Sequence, residues 1–150
     1  MTKNKLLLVE DSPADIDLVR EVLSEFEHNI GLHAVTNGKE ALDFLQRQGD
    51  YEDAPSPDLV LLDLDLPKMN GFEFLREIRS KERFQQLPVI VLTMSNAEED
   101  ISRAYKNDAN CCITKPLGFE DFNQVMQSIN NFWFELAHLP PAPPDQDNEE

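Results

Sequence analysis

Cysteine is nearly absent from this sequence, and the two that occur, Cys111 and Cys112, are neighbours. Residues joined by one trans peptide sit about 3.8 Å apart at Cα, too close for an ordinary disulfide. They read as reduced thiols, with Cys112 a small core residue of a short strand. His28, His33 and His138 are scattered far from one another, so the paired spacing of a structural zinc site is missing as well. A histidine that ligates or catalyses needs a positioned partner, and these three are assigned no role. Long apolar runs are also lacking. Stretches such as 6–9 and 59–62 fall far short of the about 20 residues that span a bilayer, and no signal-peptide stretch opens the chain. A cytoplasmic protein with no membrane contact is expected. Basic residues are scarce, 13 Lys and Arg against 29 Asp and Glu, for a formal charge of -16. That balance opposes nucleic-acid and anionic-lipid binding, both of which recruit cations to phosphate. The closing residues supply only Asp145, Asp147, Glu149 and Glu150, so the body is acidic in its own right.

What is present is an alternation. Apolar strand patterns at 5–9, 32–35, 58–62, 89–92 and 111–113 are each followed by a helical pattern. After the first strand, Ser12-Pro13 offers an N-cap and a proline at N1, and Ile16, Val19, Leu23 and Phe26 recur at helical spacing. Further helices are predicted at 39–48, 72–79, 98–106 and 120–136. Five such units in 150 residues predict one α/β domain, an open doubly wound parallel sheet joined by right-handed crossovers. From residue 140 onward, PPAPPDQDNEE has no apolar periodicity, so the domain is placed at 1–139 and a disordered tail at 140–150.

Sheets of this kind bind ligands at the carboxyl ends of their strands. Glu10 and Asp11 follow the first strand and Asp63 the third, which gathers three carboxylates at one edge. A hard cation relieves their repulsion, and oxygen ligands with retained waters suit Mg²⁺. Thr93 ends the fourth strand and Lys115 follows the fifth, placing a hydroxyl and an ammonium where both suit phosphate oxygens. Ser12 is more simply a helix cap than a nucleophile, since no histidine is placed near it as a base.

Glu10-Asp11 after LLLV, Asp63 within LLDLDLPKMNG, Thr93 after VIVL and Lys115-Pro116 within ITKP together resemble the receiver domains of response regulators. The match covers nearly the whole chain and is specific because five points agree in order and in strand context. The resemblance implies a flavodoxin-like (CheY-like) fold with five strands in the order 2-1-3-4-5 and five helices. It makes Asp63 the phosphoacceptor, Asp11 a metal ligand, Glu10 a carboxylate acting on the metal through water, and the Asp65 carbonyl a further ligand for Mg²⁺ or Mn²⁺. Thr93 would be the switch hydroxyl, Lys115 the phosphate clamp, Pro116 the partner of a cis peptide bond, and Gly71 the tight end of the loop after strand three. Three positions depart from the family pattern. Cys112 replaces the usual switch aromatic, Met94 stands where a small residue follows the threonine, and Asp65 adds a negative side chain near the entrance.

A narrower resemblance, in QGDYEDAPSPDLVLLDLDLPK, RFQQLPVIVLTMS and NNFWFELAHLPPAP, is to the single-domain response regulators partnered with phytochrome histidine kinases. It implies a sensor histidine kinase as phosphoryl donor and a homodimer through the last helix. Phe122, Val125, Met126, Ile129, Trp133 and Leu136 form one apolar stripe on that helix, with Phe132 at its edge and Phe134 off it. Surplus aromatics at Phe132, Trp133 and Phe134 fit a surface covered by a partner. The expected function is thus a phosphorylation switch rather than an enzyme. Two alternatives are a metal-dependent phosphohydrolase, from the DxD-like Asp63-Leu64-Asp65, and a pseudo-receiver that binds partners without phosphorylation. The phosphohydrolase lacks its downstream acidic pair, since Glu120 and Asp121 fall on a helix, and the intact five-point site disfavours the pseudo-receiver.

Overall fold

The computed structural model describes residues 4–26 and 30–141. Its elements run β1 (Asn4–Val9), α1 (Pro13–Ser24), β2 (Ile30–Val35), α2 (Gly38–Gln46), β3 (Leu59–Leu62), α3 (Gly71–Arg79), β4 (Val89–Thr93), α4 (Glu98–Lys106), β5 (Cys111–Thr114) and α5 (Phe119–Ile129). The five strands are parallel in the order β2-β1-β3-β4-β5, as the resemblance implies. Position 28 and most of the expected tail, residues 142–150, lie outside the described residues.

Alternation along β1 divides the core. Leu7 and Val9 point to the face covered by α2 and α3, with Phe44, Phe74, Leu75 and Ile78 packed against them. Leu6 and Leu8 point to the other face, under Val19, Val22, Phe122, Met126 and Ile129 of α1 and α5. β3 and β4 are buried along their whole length, which explains their uninterrupted aliphatic runs. Val9 pairs with Leu62 and Leu62 with Val91, so the residues that follow these strands emerge at one edge.

Local chemistry sets the ends of the helices. Ser12 caps α1 by accepting from the Asp15 N–H, and Asn70 and Glu73 form a reciprocal capping box on α3. Asn37 caps α2 through the Glu40 N–H, and Arg47 closes it with a left-handed φ of 56°. That places α2 one residue earlier and ends it two residues sooner than the 39–48 predicted.

The last helix differs more. The predicted single helix over 120–136 is α-helical only to Ile129 and continues as a π-helical segment, Asn130–Leu136. Asn130 is buried, and its amide donates to Glu135 at 2.8 Å, a bond at i, i+5 spacing. The wider turn brings Phe134 onto the core with Trp133, while Leu136 is 73% exposed. The uniform stripe read from the sequence therefore holds through Trp133 and fails at Leu136 and Phe134, because it assumed an i, i+4 turn throughout.

At the amino edge of the sheet, Arg79 ties three segments together. Its Nε donates to the Asp108 carbonyl at 3.0 Å, one terminal nitrogen to the Phe84 carbonyl at 2.6 Å and the other to Asn110 Oδ1 at 3.0 Å. Asn110 Oδ1 also accepts from the Val89 N–H at the start of β4.

Candidate functional site

β1 and β3 pair through their last residues, and the chain then turns away, leaving Glu10, Asp11 and Asp63 at the carboxyl edge. The Asp63 N–H still donates to the Val9 carbonyl at 3.0 Å, which fixes the aspartate beside the end of β1. One carboxylate oxygen from each of Glu10, Asp11 and Asp63 lies within 4.8 Å of the others. Glu10 is buried, Asp63 half-buried and Asp11 exposed. Both Glu10 oxygens are engaged: Oε2 accepts from the Ser12 N–H at 3.1 Å and Oε1 from Lys115 Nζ at 2.6 Å.

Lys115 reaches this cluster from the end of β5. Its ammonium, 7% exposed, also donates to Asp15 Oδ2 on α1 at 3.0 Å. Burial opposes its charge. The hydrogen bonds to Glu10 and Asp15 and the charges of Glu10 and Asp63 outweigh burial, and its pKa stands above the ordinary lysine value. Asp63 is pushed up to about 7, first by burial, then by the charge of Glu10 and a hydrogen bond shared with it. Lys115 and the Asp65 N–H pull the other way. A carboxyl near 7 beside two further carboxylates is the donor set that a divalent cation would neutralise.

Thr93 is buried at the end of β4, and its carbonyl accepts from the Lys115 N–H at 2.6 Å. Its hydroxyl oxygen accepts from the Ser95 N–H, and Ser95 Oγ in turn bonds Asp100 of α4 at 2.7 Å. The hydroxyl is thus linked to the first turn of α4. The loop after β3 passes Asp65, which donates its N–H to Asp63 Oδ1 at 3.3 Å, and ends at Gly71, whose N–H bonds the Leu64 carbonyl. Asp11, Asp65, Asn70, Phe72, Asp100 and Arg103 are among the residues lining an open cleft of about 550 Å³ beside the cluster. Arg103 stacks over Phe72 at 4.1 Å.

The five residues singled out in the sequence are thus brought together. A model of the response regulator receiver domain matches residues 6–127. The chain belongs to that family. The receiver is 44% identical over 137 residues to the response regulator Rcp1 of Synechocystis sp., covering 91% of this chain and 93% of that one. Two solved structures are close in fold. One is the phosphorylated cyanobacterial phytochrome response regulator RcpA, with a TM-score of 0.90 at 40% identity over 93% of this chain and 100% of that one. The other is the Mn²⁺-bound form of Rcp1, with a TM-score of 0.87 at 43% identity over 92% of this chain and 99% of that one.

Several details of this receiver were not legible beforehand. The peptide bond before Pro116 is trans, as no bond among the described residues is cis, contrary to the family expectation. Trans is the default for an X–Pro amide by about 0.5–1 kcal/mol, and from it Lys115 meets Thr93, Glu10 and Asp15 as described. Next to Cys112, where the family carries an aromatic on the strand, α4 supplies one: Tyr105 Oη accepts from the Cys112 N–H at 3.1 Å. Burial raises the pKa of both cysteine thiols, which suits packed groups rather than reactive ones. Met94 is 56% exposed beside the buried Thr93, and Glu120 and Asp121 are exposed in the first turn of α5. Asp15 was missed altogether. Its one signal is an acidic residue three positions after the Ser12 cap, in the first turn of α1.

Proposed function

We propose that this receiver is the phosphorylation switch of a two-component relay, accepting a phosphoryl group on Asp63 from the phosphohistidine of a sensor histidine kinase. The observation that carries this reading is the meeting of Asp63 with Lys115, Thr93 and the Glu10-Asp11 pair at one sheet edge. Asp63 attacks phosphorus in line through a carboxylate oxygen, the P–N bond breaks, and the imidazole leaves with its electron pair and takes a proton from water. Lys115 stabilises the charge that gathers on the phosphoryl oxygens. The Thr93 hydroxyl then leaves the Ser95 N–H to bond the new group, which loosens the Ser95–Asp100 tie and biases α4. Such kinases charge their histidine from ATP, which places the encounter in the cytoplasm. Similarity to RcpA, a cyanobacterial phytochrome response regulator, supports a phytochrome as the sensor. Incubation with acetyl phosphate and Mg²⁺, read by intact mass, tests the reading: one adduct on the wild type, and none on Asp63→Asn.

Glu10, Asp11, Asp63 and the Asp65 carbonyl would hold Mg²⁺ or Mn²⁺. The bound ion supplies charge neutralisation for the incoming phosphoryl oxygens. Ligation requires Asp63 ionised, and its carboxyl titrates at about 7. Apparent Mn²⁺ affinity will therefore rise toward about tenfold per pH unit below pH 7 and level off above it. An affinity that stays flat across that range would show that no ligand carboxyl takes up a proton there.

A homodimer through the end of α5 belongs to the same reading. Trp133 and Phe134 pack inward, so Phe132, 51% exposed, and Leu136 carry the apolar outer surface. Sedimentation equilibrium will show a dimer that Phe132→Glu dissociates. A wild type that stays monomeric at about 100 μM, a concentration at which a μM interface would be saturated, rejects it.

A further inference from the structure

We propose that Asp15 is a positioning residue for phosphoryl transfer, holding the Lys115 ammonium off the Asp63 carboxylate so that a carboxylate oxygen stays free to attack. The inference rests on the phosphoacceptor reading above and goes beyond it by adding a residue outside the five-point site. An ammonium carries three N–H donors, and a buried one must spend them on acceptors. Glu10 takes one with Oε1, while its Oε2 is committed to the Ser12 N–H. Asp15 takes the second at 3.0 Å. Among the described residues no third acceptor bonds Lys115 directly, so one N–H remains for a phosphoryl oxygen.

The geometry of α1 makes the tether rigid. Asp15 sits in the first turn, where its own N–H is capped by Ser12 Oγ at 3.3 Å, and Ser12 is in turn held by Glu10. Glu10, Ser12, Asp15 and Lys115 thus close a ring of hydrogen bonds joining the end of β1, the start of α1 and the end of β5. An acidic residue in a first helical turn also stabilises the helix through its dipole. That role needs no contact with Lys115, whereas this carboxylate reaches across 100 residues of sequence to make one. Without Asp15, a Lys115 held by Glu10 alone can turn its free donors onto Asp63, pairing with the nucleophile before the donor arrives.

The test compares wild type, Asp15→Ala and Asp15→Asn for phosphorylation by acetyl phosphate at saturating Mg²⁺. The alanine variant will be slower by about tenfold, the lower end of the rate equivalent of a charge-assisted hydrogen bond since Asp15 is partly exposed, at unchanged Mn²⁺ affinity. Asparagine, whose amide oxygen still accepts from the ammonium, will recover most of that rate. Equal rates for wild type and alanine overturn the inference. So does an asparagine variant as slow as alanine, or a Mn²⁺ affinity that falls in parallel with the rate. A wild type that takes up no phosphoryl group refutes the phosphoacceptor reading instead. The tether itself is then read by ¹⁵N NMR of the Lys115 ammonium: faster hydrogen exchange with water in Asp15→Ala supports it, and unchanged exchange sinks it.

Discussion

Asp63→Asn will gain no phosphoryl mass under conditions that label the wild type fully, and without metal it will be the more stable protein at pH 8. The loss of the adduct is all-or-none, since an amide oxygen in place of the carboxylate is no nucleophile toward phosphorus. The stability effect follows from the carboxyl being pushed up from 3.8 to about 7. A folded state that binds a proton more tightly than the unfolded chain loses stability as pH rises between those two values and is level above the higher one. The advantage of the asparagine variant should therefore be small near pH 4, grow to about pH 7 and then stay constant. Unscreened, the shift is worth about 4 kcal/mol, and partial exposure of Asp63 reduces this to about 1–2 kcal/mol, several degrees in Tm. Saturating Mg²⁺, bound more tightly by the wild type, should narrow the difference. Thermal melts at pH 4, 6 and 8 decide it, and a gap that does not change with pH would mean that Asp63 is not strained by its neighbours.

Gly71→Ala will lower stability by about 3 kcal/mol and slow phosphorylation at least tenfold. A Cβ there would lie 2.5 Å from the Asp63 carbonyl oxygen and 2.7 Å from Leu64 Cα. Both are backbone atoms, so relief requires moving the loop that carries the phosphoacceptor rather than turning a side chain. Gly38 presses on the same loop from α2, where an added methyl would collide with the Met69 carbonyl oxygen. Gly118, with nothing within 4 Å of an added Cβ, is the control, and alanine there should be close to neutral. Urea denaturation beside the acetyl phosphate assay checks the pair. Equal behaviour of the Gly71 and Gly118 variants would contradict the close approach.

The sequence by itself determined the five alternating units, the two-faced core and the strand ends that carry Glu10, Asp11, Asp63, Thr93 and Lys115. Those features are local. A fully buried strand is aliphatic, a short polar side chain such as Ser12 favours a helix start, and a polar residue directly after a buried strand has one edge at which to emerge. The tertiary structure decided what no local pattern encodes. Asp15 meets Lys115 because α1 and the β5–α5 loop flank the end of β1. Tyr105 covers Cys112 because α4 packs beside β5. Arg79 joins α3 to the start of β4 because three backbone carbonyls and the Asn110 side chain face it. The π-helical end of α5 is also a tertiary outcome, since burying Asn130 and seating Phe134 on the core required a wider turn than apolar periodicity assumes. Periodicity reports which residues are buried within one element. The partner that buries each of them is set by how the elements pack.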